Sequence, residues 1–342
     1  MSFSARIIAW QHRHGRHHLP WQGSRDPYRI WVSEIMLQQT QVATVIPYFL
    51  RFLARFPDLA SLAQADEEEV LTHWAGLGYY ARGRNLQRAA RIIAEKHANV
   101  FPNRFEDVAD LPGIGRSTAA AICAFAFGER RAILDGNVKR VLARAYAIEG
   151  WPGKKQVETR LWQLSEALLP DTDIETYTQA LMDLGATVCT RTHPKCANCP
   201  LAGECRALGE NRISCLPAPR PRKSLPERSA TLLVIRHARD VMLVKRPSPG
   251  IWGGLWSLPE ADGDPLGACQ QLTGRAPSCM EELPEFAHSF THFRLAIRPL
   301  VLMLDSRPQG AAEPGSIWMD VCDARKAAIP KPVKSILQKL RA

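Results

Sequence analysis

The sequence predicts a multidomain α and α+β protein, with an all-α front region followed by a smaller α+β domain. Three observations carry that expectation. The chain has 342 residues, 46% of them hydrophobic, which is enough for two cores and more than one core ordinarily serves. Helical periodicity runs from the start to about residue 188, whereas short β-like runs dominate beyond Cys205. Between them, LPAPRPRKSLPERS (216–229) is rich in proline and arginine, which suits an extended, exposed connector. The expected division is a helical region over 1–210, a linker over 211–229 and an α+β domain over 230–342.

Within the front region, Phe49, Leu50, Phe52, Leu53 and Phe56 follow the i, i+3, i+4, i+7 spacing of one buried helical face. Asp66, with Glu69 three places later, fits a capping box for a helix leading to Trp74. Val157, Leu161, Leu164 and Leu168 form another apolar stripe, closed by Pro170. In the C-terminal region SATLLVIR and VMLVKR, separated by a turn at Ala238 to Asp240, read as strands. FRLAIRPLVLML reads as a further strand, and PVKSILQKLRA as a terminal helix.

The formal charge is +10, which favours polyanionic partners without specifying any fold. The N-terminus lacks the apolar run and cleavage site of a secretory signal, and no apolar run approaches the ~20 residues that span a bilayer. An intracellular, reducing setting is therefore expected, and the nine cysteines are not expected to form a disulfide framework. Cys189, Cys196, Cys199 and Cys205 crowd into CTRTHPKCANCPLAGEC with the spacing C-x6-C-x2-C-x5-C. Four thiolates this close can converge on one centre, either zinc or an iron–sulfur cluster, and the spacing alone does not choose.

Several other segments carry chemistry. LPGIGRSTAAAICAFAFG (111–128) places Gly113 and Gly115 around one apolar residue, ahead of a helix. Such a turn aims backbone amides outward and can hold a phosphate, or can be merely a tight turn. Asp135, in ILDGNVKRVLAR, stands where a helix cap belongs. Glu34 sits among the apolar residues of IWVSEIMLQQTQV. It either faces solvent or lines an apolar pocket, and in the second case desolvation makes it a proton donor near neutral pH.

Taken together these segments resemble the MutY family of the helix–hairpin–helix, endonuclease III superfamily, densely over 20–205 and more loosely after 230. The cysteine spacing matches that superfamily's 4Fe–4S signature, LPGIG its hairpin, LDGNVKRV its aspartate motif, and SEIMLQQTQV the segment bearing the catalytic glutamate of MutY proteins. The resemblance implies an all-α glycosylase domain with a 4Fe–4S cluster loop at 189–205, placing Arg191, His193 and Lys195 of that loop against DNA. It implies a monofunctional hydrolase of N-glycosyl bonds, removing adenine mispaired with 8-oxoguanine or guanine in double-stranded DNA during base excision repair. It also implies a monomer in the cytoplasm, associated with the nucleoid.

By the same resemblance Glu34 protonates the base, Asp135 stabilises the sugar cation and Asn137 assists water. Gln39, Tyr79, Gly113, Gly115 and Ser117 meet DNA. Ser117 stands where lyase relatives carry a lysine, so the amine nucleophile of a Schiff-base mechanism is missing. From the residues alone Tyr79 fits a packed aromatic as well. Arg82, Arg84, Arg88 and Arg91 suit either phosphate contacts or a solvated basic face.

MLVKRPSPGIWGGLWSLPE resembles the start of a Nudix-type domain, but PEADGDPLGACQQLTG follows where the glutamate-rich hydrolase box belongs. MutY proteins use such a domain to recognise 8-oxoguanine, with a loop reading FSH; here Phe290, Thr291 and His292 take those places. Two rival readings stay open: a bifunctional pyrimidine-lesion glycosylase/lyase, and a non-catalytic DNA-binding iron–sulfur protein.

Overall fold

The structure, a computed structural model, describes residues 1–221, 225–247, 250–290, 292–308 and 315–340. The chain packs as two units: Met1–Ala65 with Arg84–Arg222, and Asp66–Gly83 with Lys223–Ala342. Among the described residues no helix is long and apolar enough to cross a membrane.

The first unit is helical because its apolar residues recur at helical spacing and polar caps fix where helices start. Asp26 caps Pro27–Leu37 by accepting from the Tyr28 amide at 2.9 Å, with Pro27 preset for the first turn. Asp58 and Ser61 form a reciprocal capping box on Leu59–Gln64. Helix Val42–Arg55 buries Phe49, Phe52 and Leu53, and Phe56 is buried just past its end, but Leu50 from the expected stripe is exposed. Helix Lys155–Ala167 buries Leu161 fully and packs Val157 and Leu164 at the edge of the same core. That core draws on Phe3–His14, Arg116–Phe127, Gly136–Ala145 and Ile174–Asp183, around fully buried Ile7, Ala124, Leu142 and Leu181.

The last of these helices widens at Leu184–Val188 into a turn of five-residue bonding. Such turns cluster at functional sites. Here Gly185 lets the turn lie against Asn137: a Cβ on Gly185 would fall 2.5 Å from the Asn137 Cβ and 3.0 Å from its Cα. Two short 3-10 turns then carry the cysteine loop.

In the second unit the described strands are β1 (Glu227–His237), β2 (Asp240–Lys245), β3 (Trp256–Ser257), β4 (Glu260–Ala261), β5 (Cys279–Glu282), β6 (Phe286–Ser289), β7 (Arg294–Met303) and β8 (Ser316–Asp320). They form one mixed sheet whose main path runs β3-β2-β1-β7-β5. The long central pair β1 and β7 is parallel, from Glu227 opposite Arg294 to Arg236 opposite Met303. Both strands bury runs of apolar residues because both sheet faces are covered, which their near-continuous Leu, Val and Ile content anticipates. One face packs on helix Lys331–Lys339 through Val333, Ile336 and Leu337. The other face packs near helix Pro265–Thr273 through Cys269.

Asp66–Gly83 belongs to this second unit although its sequence lies among the front helices. Its helix, Glu67–Trp74, starts after Asp66 as expected, but the Asp66 side chain makes no capping bond. Glu67, Glu68 and Glu69 in the first turn favour the helix start electrostatically instead.

Candidate active site

In the helical unit a cavity of about 260 Å³ opens beside Glu34 and is lined by Gln11, Arg16, Trp21, Ser33 and Gln179 among others. Its wall is held by Asp183, which is fully buried. One Asp183 oxygen accepts from Arg16 Nε at 2.8 Å, Arg16 Nη2 at 2.6 Å and Gln179 Nε2 at 2.8 Å. The other accepts from the Arg16 amide at 2.8 Å and Gln11 Nε2 at 3.0 Å. A buried carboxylate so thoroughly paired is stable, and it fixes three polar side chains of the cavity in one orientation. Trp21 completes the wall, held edge-on to Phe49 with centroids 5.4 Å apart.

Helix Pro27–Leu37 presents Glu34 to this cavity between buried Val32, Ser33 and Ile35. The carboxyl keeps a little surface toward the cavity but is otherwise set deep among protein atoms. Burial and the neighbouring charge of Asp135 push its pKa up to about 8. It is therefore largely protonated at neutral pH and able to donate.

Asp135 caps helix Gly136–Ala145, accepting from the Val138 amide at 2.8 Å and from Asn137 Nδ2 at 3.3 Å. Burial raises its pKa too. The Val138 and Asn137 amides, the Arg140 charge and the Asn137 side chain pull the other way. Asp135 is thus both the cap of this helix and a carboxyl neighbouring Glu34. Of two neighbouring carboxyls, the one supplied with donors is the better placed to stay ionised. Arg140 tightens the arrangement by donating from Nη2 to Asn137 Oδ1 at 2.8 Å and to the Gly185 carbonyl at 2.7 Å.

The glycine hairpin lies at the start of helix Arg116–Phe127. Gly113 adopts φ +81°, and a Cβ there would meet the Asn85 Cβ at 2.9 Å, so glycine is required twice over. Gly113 and Gly115 are exposed, as is Gln39, whose φ is 58°. Gln38 beside it donates to Thr118 Oγ1 at 3.3 Å and to the Gly113 carbonyl at 3.4 Å, tying the QQT segment to the hairpin. Ser117 Oγ accepts from the Leu134 amide at 2.9 Å, anchoring the residue before Asp135.

Cys189, Cys196, Cys199 and Cys205 all line one small pocket with Val188, Pro194 and other residues. Among the described residues no three His, Cys, Asp or Glu side chains approach closely enough to share a single metal ion. Burial, with the proximity of the other cysteines, pushes the Cys199 thiol up to about 11, and burial likewise raises that of Cys205. The loop hangs on Arg144, a buried arginine that donates to the carbonyls of Leu216 at 2.8 Å, Thr190 at 2.7 Å and Arg191 at 3.2 Å, and lies 3.4 Å from Cys189 Sγ. Arg191, His193 and Lys195 are exposed on it.

In the other unit Tyr79 is 48% exposed with φ 47°, which does not match the packed-aromatic alternative. Arg82 donates to the Leu77 and Gly78 carbonyls, and in the helical unit Arg91 donates to those of Ala63 and Ala65. These two arginines therefore brace the backbone. Phe290 stacks on Phe293 at 4.4 Å, edge-on to His288 at 4.8 Å, with Trp252 at 5.7 Å and His292 at 6.3 Å. Thr291 lies outside the described residues.

The fold and site define a class, the helix–hairpin–helix DNA glycosylases. Residues 32–167 match the HhH-GPD superfamily of base excision DNA repair proteins, and residues 230–339 match the NUDIX domain family. A thermostable thymine-DNA glycosylase superposes with TM-score 0.54 at 27% identity, covering 61% of this chain and 95% of that one. An endonuclease III bound non-covalently to DNA shares the fold, with TM-score 0.52 at 21% identity over 62% of this chain and 99% of its own.

Relatives along the whole chain are narrower in kind. The adenine DNA glycosylase of Buchnera aphidicola (from Acyrthosiphon pisum) is 36% identical, covering 99% of this chain and 97% of its own. That of Mus musculus is 34% identical over 98% of this chain and 77% of its own. This chain belongs to the adenine DNA glycosylase family, the MutY family, whose members hydrolyse N-glycosyl bonds in base excision repair.

Proposed function

We propose that the enzyme removes adenine paired with 8-oxoguanine or guanine, and that it acts as a monofunctional glycosylase. The observation that carries the chemistry is the pairing of Glu34, half-buried at the cavity with its pKa pushed up, with Asp135, half-buried and supplied with donors. A base inside a duplex cannot reach either carboxyl, so the adenine must be extruded into the cavity beside Glu34. Glu34 then donates its proton to N7 of adenine, which weakens the glycosidic bond by making the base a neutral leaving group. As the bond breaks, positive charge develops on the sugar and Asp135 stabilises it electrostatically. Asn137, oriented by Arg140, stands beside Asp135 to help place the water that completes hydrolysis.

Ser117 supports the monofunctional reading, since it offers no amine and its oxygen already accepts from Leu134. The exposed glycine turn, Gln39 and Tyr79 form the surfaces for DNA, with the hairpin amides suited to a phosphate. Phe290 and His292, with Thr291 between them in sequence, are the residues for the base opposite the adenine.

The four cysteines line one pocket and would hold the 4Fe–4S cluster that membership of this family implies. Thiols pushed upward by burial and by one another require bound positive charge to ionise. When bound, the cluster supplies a cross-link that holds the 189–205 loop.

A duplex with one adenine opposite 8-oxoguanine tests the activity. After incubation, strand cleavage only on treatment with alkali is expected; cleavage without alkali would restore the lyase reading. A strand intact with and without alkali would leave a DNA-binding protein without this activity.

A further inference from the structure

Segment Asp66–Gly83 is fastened into the C-terminal unit by contacts of three kinds. Glu68 accepts from Lys245 Nζ at 2.6 Å through one oxygen and from Trp256 Nε1 at 2.6 Å through the other. The Tyr80 hydroxyl donates to the Ile329 carbonyl at 3.4 Å. Leu71 is fully buried with Leu255 and Ala328, and Tyr80 and Trp252 pack against that cluster. Partial burial works to raise the pKa of Glu68, but the bonds from Lys245 and Trp256 prevail and lower it, so the clasp is an ionic one.

Trp252 is shared between two features. On one side it packs with the Leu71 cluster; on the other its ring lies 5.7 Å from Phe290 and 6.2 Å from His288. Tyr79 directly precedes Tyr80, in a left-handed backbone conformation that leaves its ring exposed. The exposed tyrosine and the Phe290 loop are thus mounted on a common wall.

We infer that the Glu68 clasp and Trp252 join Tyr79 and the Phe290 loop into one reading head, making Glu68 a positioning residue for selection of the base opposite adenine. The inference rests on the proposal that Tyr79 and Phe290 meet the duplex. Glu68 acts through the segment it holds. Without the clasp, Tyr79 and the loop must be ordered separately on binding, and the ordering cost is subtracted from affinity.

The test is a double-mutant cycle in the full-length protein with Glu68→Ala, Tyr79→Ala and both together. Binding is measured to duplexes carrying a 2′-fluorinated adenosine that resists excision, opposite 8-oxoguanine or guanine. Glu68→Ala is expected to weaken the 8-oxoguanine complex about tenfold and the guanine complex less than about twofold. The loss should vanish in the Tyr79→Ala background, and the single-turnover excision rate at saturating enzyme should be unchanged.

Glu68→Gln, which keeps an acceptor for Trp256, should fall between. Equal losses on both duplexes, additive losses in the cycle, or a lowered melting temperature with binding intact would overturn the inference. A wild-type protein that does not distinguish the two duplexes would count against the Phe290 loop as lesion reader. The Glu68–Tyr79 coupling on the 8-oxoguanine duplex still decides the clasp, and its absence there overturns the inference.

Discussion

The helical unit and the C-terminal unit organise their polar groups in opposite ways. In the first, two charges are buried and each is fixed by several partners: Asp183 by Arg16, Gln11 and Gln179, Arg144 by three carbonyls. Glu34 and Asp135 share that interior, where desolvation controls who holds a proton. In the second, the candidate contact groups are aromatic and partly exposed, and Phe290, His288, Trp252 and Phe293 support one another by ring packing. Burial tunes acidity and suits bond breaking; an aromatic surface offers shape and stacking and suits discrimination. Substitutions in the two units should therefore fail differently, the first in rate and stability, the second in affinity.

The largest effect is expected from Glu34→Gln, which removes the acid but keeps the shape. Single-turnover excision should fall by about 10³-fold or more while duplex binding persists. Stability should move the other way. The folded state holds the Glu34 proton up to about pH 8, whereas the ordinary value of the unfolded chain is 4.5. Wild-type stability from this group is therefore fully present below about pH 4.5 and lost as pH rises toward 8. The permanently neutral variant should melt above wild type at pH 8 and lose that advantage near pH 4.5 in a thermal scan.

Asp135→Asn should cost about 10²–10³-fold in the same excision assay, with binding retained, because it removes charge from the site where the sugar cation forms. An unchanged excision rate would assign Asp135 to helix capping alone, a role that Asn also fills. Arg144→Met should cost roughly 3 kcal/mol of stability by leaving buried carbonyls without donors, and should lower the iron content per chain. Stability lost with iron retained would separate the arginine from the cysteine loop. The smallest effect, about 1 kcal/mol, is expected for Phe290→Ala, read as weaker binding to the 8-oxoguanine duplex at an unchanged saturated rate. A fall in saturated rate instead would remove the contrast between the units.

Much of the candidate site was legible because its parts are locally contiguous. Glu34 lies in one helix among apolar residues, Gly113 and Gly115 frame one turn, Asp135 caps one helix, and four cysteines crowd one loop. What the sequence concealed depends on long-range packing. Arg16 and Gln179 meet only through Asp183, and Arg144 reads as an ordinary helix arginine until its carbonyl partners, far along the chain, fold around it. Arg16 precedes a histidine pair with no recognisable pattern, so no local signal marks it.

The capping box expected at Asp66 failed for a related reason. The acidic turn there is bound to the C-terminal unit through Glu68, and no composition change along the chain marks Asp66–Gly83 as part of that unit. The strands and terminal helix of that unit were legible from β-branched runs and amphipathic spacing, but the parallel pairing of β1 with β7 was not, since alternation fixes a face and not a partner.

The most direct test is the single-turnover excision rate of the wild-type enzyme on an adenine-containing mispaired duplex, followed from about pH 5 to pH 10 at constant ionic strength. If burial holds the Glu34 proton for transfer to the base, the rate falls tenfold per pH unit above an apparent pKa near 8, and the falling limb disappears in Glu34→Gln. A limb near the ordinary carboxyl value of 4.5, or one that survives the substitution, would contradict a protonated Glu34 as the source of the proton.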